Sequence, residues 1–254
     1  MALIELRGKT ALLTGATGGL GRAIAESLAG RGATLVLSSR KEAELSELAA
    51  SLPGEAHRHL VADLAQPGAA KRLAGEAGDV DVLVANAGIG GNGRLEDFSS
   101  ERIELAVRVN VEAPIQLARA LVESMRDRGS GHLAFISSLA GKATTPGSSL
   151  YSATKFGLRG FALGLRQDLA QSGVGVSAIL PGYIRDAGMF AASGADPGAM
   201  GTSSPREVGE AVADAIERDR GEVEIAPFQQ RLLVAFAHRR PHLAAALGRR
   251  AANR

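Results

Sequence analysis

Residues 10–22 read TALLTGATGGLGR. The first four, 10–13, form a candidate strand. They run into a glycine-rich turn containing Gly15, Thr17, Gly19, Leu20 and Gly21, and a helical pattern follows at 20–29. Glycines permit a tight turn and let the backbone approach a pyrophosphate, and a helix that opens there offers free N–H groups and a positive dipole end. A Walker-type loop needs Gly-Lys followed by Ser or Thr, whereas Arg22-Ala23 follows Gly21 here, which disfavours a nucleoside triphosphatase. The stretch predicts the opening of a dinucleotide-binding βαβ unit.

The rest of the chain repeats that alternation. Strand patterns fall at 10–13, 34–37, 59–62, 80–85, 132–137, 174–180 and 222–226. Helical patterns fall at 20–29, 42–51, 68–76, 100–126, 150–171 and 205–218. Several strands are continuous apolar runs, as strands covered on both faces must be. The prediction is α/β: a single Rossmann-type doubly wound parallel sheet flanked by helices. Residues 1–226 make this domain, and residues 227–254 make a basic helical extension of it. Pro241 interrupts or restarts the helix of that extension. The Gly-, Ala- and Ser-rich stretch 186–204 carries Met189, Phe190 and Met200 and reads as a lid-like loop.

The 254 residues hold 29 Lys+Arg and 27 Asp+Glu, a net +2 that hides an asymmetry. All acids precede Pro227, so the body has net charge −4. Six arginines follow it, giving the tail +6. An acidic body is a poor nucleic-acid surface, and no nucleic-acid partner is expected. A packed terminal helix with a solvated basic face is preferred over peripheral membrane docking. With no Cys there is no thiolate nucleophile and no zinc–cysteine site. The five His show no ligand spacing, so no metal is expected. No secretory leader and no apolar run of membrane length stands out, and a cytoplasmic protein is expected.

The second strand ends Leu37-Ser38-Ser39-Arg40-Lys41. An acid at Ser39 would bind the ribose 2′-hydroxyl of NAD. The Arg40 guanidinium suits a 2′-phosphate instead, which favours NADP over NAD. Tyr151 and Lys155 lie four apart in a helical pattern and share a face. A free phenol ionises near pH 10, and bringing it down about three units takes roughly 4 kcal/mol, which a nearby ammonium can supply. Tyr151 is thus a candidate general acid–base. Ser137-Ser138 and Asn86-Ala87-Gly88 end two strands at the edge of the sheet where ligands bind.

Taken together, these motifs resemble the classical short-chain dehydrogenase/reductase family from Arg7 to about Ala226. The matching residues are Thr14-Gly15-x-x-x-Gly19-x-Gly21, Asp63-Leu64, Asn86-Ala87-Gly88, Asn110, Ser138, Tyr151-x-x-x-Lys155 and Pro181-Gly182. The resemblance implies that Tyr151 exchanges the proton with a carbonyl oxygen, that Ser138 hydrogen-bonds that oxygen, and that Lys155 binds the nicotinamide ribose and lowers the Tyr151 pKa. Asn110 would hold a water in a proton relay, at a distortion of its helix. Asp63 would contact adenine, and Asn86 would stabilise the central strands. Leu139, Tyr183, Met189 and Phe190 would line the substrate pocket with Ser138 and Tyr151. The implied reaction is NAD(P)-dependent interconversion of a ketone and a secondary alcohol, with NADPH reducing an apolar carbonyl. A non-catalytic dinucleotide-binding sensor or scaffold is the alternative. The resemblance also implies a homodimer or homotetramer built on 100–126 and 150–171.

Two positions depart from the family pattern. Asp186 stands where Thr often bonds the carboxamide, and an ionised Asp cannot donate. The backbone of Ile184 is the expected substitute. The last strand also lacks the Val-Asp-Gly-Gly type ending of acyl-carrier-protein ketoreductases, which weakens a fatty-acid-synthesis role.

Overall fold

A computed structural model describes residues 4–186 and 198–252. Seven strands form one parallel sheet: β1 (Thr10–Thr14), β2 (Thr34–Ser39), β3 (Arg58–Val61), β4 (Val82–Ala85), β5 (Gly131–Ile136), β6 (Val174–Pro181) and β7 (Glu222–Ile225), in spatial order β3-β2-β1-β4-β5-β6-β7. Every central strand is shielded on both faces. Ala11, Leu13 and Val84 pack into one core and Leu12, Leu83 and Phe135 into the other, which is why their sequences run apolar without alternation.

The helices are α1 (Gly19–Gly30), α2 (Glu42–Ser51), α3 (Ala69–Ala77), α4 (Ser100–Val107), α5 (Ala113–Asp127), α6 (Ser149–Asp168), α7 (Pro205–Glu217), α8 (Phe228–Arg239) and α9 (Pro241–Ala252). The stretch 100–126, read from sequence as one helix, is broken. A π-helical turn, Arg108–Glu112, separates α4 from α5 and carries Asn110. Such turns insert an extra residue locally and concentrate at functional sites. Pro241 restarts the chain as α9, because proline is tolerated in the first helical turn and not in an interior.

Strand order reverses between β1 and β4, where the connections leave to opposite faces. A crevice opens there, outside the carboxyl ends of the strands. Helix α7 holds α1 in place beneath that crevice. Gly209 brings the two backbones so close that a Cβ there would stand 2.4 Å from the Ala23 carbonyl. Arg31, at the end of α1, pairs with Asp214 at 2.9 Å and Glu217 at 2.6 Å on α7.

Candidate active site

The turn after β1 is shaped for a close-approaching anion. Gly15 has φ +65°, and a Cβ there would meet the Ala87 Cα at 2.9 Å. A Cβ on Gly21 would fall 2.2 Å from the Gly15 carbonyl, so α1 can start this tightly only with glycine. No side chain caps α1 at Gly18, and no acid occupies its first turn. Its leading N–H groups and positive dipole end are left for a ligand, which is the donor set a pyrophosphate requires.

Asn86 locks this turn to the next strand. Its amide donates to the carbonyls of Thr14 and Gly15, each at 3.1 Å, while the Asn86 and Ala87 N–H groups donate to Thr14 Oγ1. The sequence expectation that Asn86 ties the central strands has this geometry behind it. Arg40 is exposed at the end of β2 and, among the described residues, has no ion-pair partner, whereas its neighbour Lys41 is held by Glu44 at 2.7 Å. Asp63 and Leu64 follow β3 on the same rim.

A cavity of about 1440 Å³ runs from this rim past the ends of β1, β4, β5 and β6. Its lining includes Gly15, Thr17, Gly19, Leu20, Gly21, Ser39, Arg40, Asp63, Leu64, Asn86, Ala87, Gly88, Ser138, Leu139, Tyr151, Lys155, Pro181, Gly182, Tyr183 and Ile184. The volume exceeds the usual range for one drug-sized ligand and suits a dinucleotide beside a second molecule. Asn110 is absent from the lining and stands behind it. Its Oδ1 accepts from Ile89 N–H at 2.8 Å, and its Nδ2 donates to the Ile89 carbonyl at 2.9 Å and Thr154 Oγ1 at 3.1 Å. Both amide donors are thereby committed, so any water held by Asn110 must donate to an oxygen. Met189 and Phe190 lie outside the described residues.

The two serines after β5 have different tasks. Ser137 is buried and donates to the Lys155 carbonyl at 2.9 Å, tying the strand to α6. Ser138 has an extended backbone, donates weakly to the Pro181 carbonyl at 3.3 Å, and hydrogen-bonds the Tyr151 phenol. Helix α6 presents Tyr151 and Lys155 together, as their spacing requires. The Lys155 ammonium sits 5.7 Å from the Tyr151 ring centroid.

Electrostatics here differ from the sequence expectation. Burial raises the Tyr151 pKa above its ordinary value, and the Ser138 hydrogen bond only partly offsets this. Burial also pushes Lys155 down, to about 8. Desolvation penalises both charged forms, so each group drifts toward neutrality.

The rim beyond Tyr183 was not legible as a pocket wall. Leu233, Val234, Phe236 and Ala237 of α8 line the cavity, as do Pro241 and Ala244 of α9. Gln230 is buried, accepts from Tyr183 N–H at 3.1 Å, and donates to the Gly201 carbonyl at 2.7 Å and the Met200 carbonyl at 3.2 Å. It stands between Gln229 and Arg231, so its sequence surroundings give no signal. Ile184 is buried and bridges Ser203. The Ser203 N–H bonds the Tyr183 carbonyl and the Arg185 N–H bonds the Ser203 carbonyl, and neither bond uses the Ile184 N–H. Asp186 adopts φ +63° and leans toward Arg185, at 3.7 Å.

Residues 9–198 match the family described as short chain dehydrogenase. The chain is 37% identical to the ketoacyl reductase HetN of a Nostoc strain over 228 residues, covering 87% of this chain and 79% of that protein. It is 35% identical to mouse dehydrogenase/reductase SDR family member 7B over 241 residues, 88% of this chain and 75% of that one. A short-chain dehydrogenase from Sphingobium yanoikuyae, solved in complex with NADPH, superposes with a TM-score of 0.81 at 30% identity, over 93% of this chain and 95% of that chain.

Proposed function

The chain belongs to the short-chain dehydrogenase/reductase family of oxidoreductases, and from that membership we propose that it uses NADP(H) to interconvert an apolar ketone and its secondary alcohol. The carrying observation is the meeting of Tyr151, Ser138 and Lys155 on the same cavity as the uncapped, glycine-bounded turn.

The bound dinucleotide would supply or accept the hydride. Gly15, Thr17, Gly19, Leu20 and Gly21 hold its pyrophosphate on backbone N–H groups. Ser39 and Arg40 meet the 2′-phosphate, and the unpaired state of Arg40 supports NADP over NAD. Asp63 and Leu64 flank the adenine; Ala87, Gly88, Pro181, Gly182 and Ile184 border the nicotinamide half, and the unused Ile184 N–H takes the anchoring role that Asp186 cannot.

Tyr151 donates its proton to the substrate oxygen in reduction and removes it in oxidation. Its raised pKa keeps the phenol protonated, which suits the acid role. Ser138 holds the same oxygen. Lys155 carries positive charge below about pH 8 and steadies the phenolate left after transfer. Asn110, fixed to Ile89 and Thr154, would hold the water through which a proton returns to Tyr151. The apolar wall of Leu139, Leu233, Val234 and Phe236 supports an apolar substrate. Tyr183 completes the wall, and Met189 and Phe190 are assigned to it from sequence.

A panel of ketones with loss of NADPH absorbance tests the reading. Turnover on at least one apolar ketone is expected, with Tyr151→Phe reducing it by about 10²-fold or more. Full turnover by Tyr151→Phe on an accepted ketone would overturn the chemistry.

A further inference from the structure

We propose that α8 and α9 form a docking face for an anionic lipid bilayer. Exposed apolar side chains stand on these two helices where a soluble surface should be polar. Phe228 is 72% exposed, Leu232 59% and Leu243 52%. Phe228 and Leu232 stand one turn apart on the outer face of α8, and Leu243 lies on α9, which packs against it. The other face of α8 is spoken for: Gln230 is buried against the body and Val234 lines the cavity. Single exposed leucines need no explanation, but several on two packed helices flanked by cations do.

Charge selects the occupant. Arg239 and Arg240 are exposed beside this face and, among the described residues, have no ion-pair partner; Arg231 is only loosely held by Glu224, at 3.6 Å. No acid occurs in 227–254. Two copies of this chain meeting here symmetrically would bring two segments without a single acid together, arginines against arginines. An anionic bilayer satisfies both features, because apolar side chains enter the headgroup boundary while guanidinium groups pair with phosphates. Helix α9 carries Arg249 and Arg250 as well in its sequence. The face also adjoins the mouth of the cavity through Leu233, which is 49% exposed and lines it. Docking rests on this surface and not on the reaction proposed above, so the two can fail separately.

The test is flotation of the full chain with vesicles of mixed phosphatidylcholine and phosphatidylglycerol, against vesicles of phosphatidylcholine alone, with mass measured by light scattering. Binding to the mixed vesicles, release by salt and little binding to the neutral ones are expected. Arg239→Gln with Arg240→Gln should weaken binding about 25-fold, at roughly fivefold per surface arginine. Phe228→Ser with Leu232→Ser should weaken it at least about tenfold. Neither pair lines the cavity, so both should keep the wild-type mass, fold and turnover of a soluble substrate. Three results overturn the proposal. The first is failure of the wild-type protein to float with the mixed vesicles. The second is wild-type binding by the apolar pair, which would mark a general polyanion site. The third is a lower mass for the apolar pair, which would mark an interface between copies.

Discussion

The Lys155 ammonium lies 5.7 Å from the Tyr151 ring centroid and donates to the Ile136 carbonyl at 2.9 Å, buried and, among the described residues, without a carboxylate to neutralise it. Its folded pKa is about 8, against about 10.5 in the unfolded chain. Folding therefore favours the neutral amine, and the charge costs stability in full below pH 8, with the cost fading as pH rises toward 10.5. Lys155→Met should abolish most turnover yet raise stability at pH 7. A gain of about 1–2 kcal/mol is expected after the lost bond to Ile136 is subtracted, which is about 3–6 °C in Tm. Thermal melts at pH 7 and pH 10 check it, and the gain should be smaller at the higher pH. A Tm below wild type at pH 7 would show that the ammonium stabilises the fold.

Arg40 bears on which cofactor is used. A charge-assisted bond to a 2′-phosphate is worth about 1.5–3 kcal/mol, so Arg40→Gln should weaken NADPH binding by about 10- to 100-fold. NADH lacks that phosphate, and its affinity should stay within about threefold, since neutralising Arg40 removes no bond to it. Fluorescence titration with both dinucleotides reads the split. Equal weakening of the two would assign Arg40 to general electrostatics and withdraw the NADP preference.

Which parts of this were legible in the sequence follows from the range of the interactions. The β1 turn and the Tyr151–Lys155 pair are local, set by glycine geometry and a helical spacing of four, and residue types alone reveal them. The strands around them are doubly covered, so their apolar runs also speak plainly. The break at Asn110 was visible only through family resemblance, because 100–126 keeps a helical period across the π turn. The pocket wall from α8 and α9 was not visible at all. Gln230 meets Tyr183 across 47 positions, and no local pattern encodes that contact. The sign of the Tyr151 shift was also missed, since burial depends on the whole fold and not on the neighbour four residues away.

His132 belongs to a buried polar cluster at the opposite end of the sheet. Its Nε2 lies 2.8 Å from Ser177 Oγ, and that hydroxyl gives its proton to the Arg220 carbonyl at 2.6 Å, so Nε2 must be the protonated nitrogen. Burial lowers the pKa to about 4; Asp219 opposes the shift and Arg166 adds to it. The unfolded imidazole ionises near 6.5, so the unfolded chain binds more protons between pH 6.5 and 4. Stability should fall across that window by up to about 3 kcal/mol as pH drops. In urea unfolding, the wild-type advantage over His132→Gln should shrink by that amount from pH 7 to pH 4. A constant difference would mean that the imidazole titrates normally in the fold.

Gln230 ties the Pro181-Gly182-Tyr183 segment to the far side of the cavity. A Cβ on Gly182 would fall 2.3 Å from its Oε1, so the amide rests directly on that glycine. Gln230→Leu keeps the bulk but strands the Tyr183 N–H and the carbonyls of Met200 and Gly201, at about 1–3 kcal/mol for each group that water cannot reach. Gln230→Glu retains an acceptor for Tyr183 and turns a carboxylate toward two carbonyls, so it should rescue little. Both variants should raise KM for an apolar ketone several-fold more than they lower kcat, because Gln230 bonds to Tyr183, Met200 and Gly201 and to neither Tyr151 nor Ser138. The KM effect should persist well below the melting temperature of each variant, where a purely structural role predicts none. Unchanged KM in a destabilised but folded Gln230→Leu protein would reduce the residue to a packing contact.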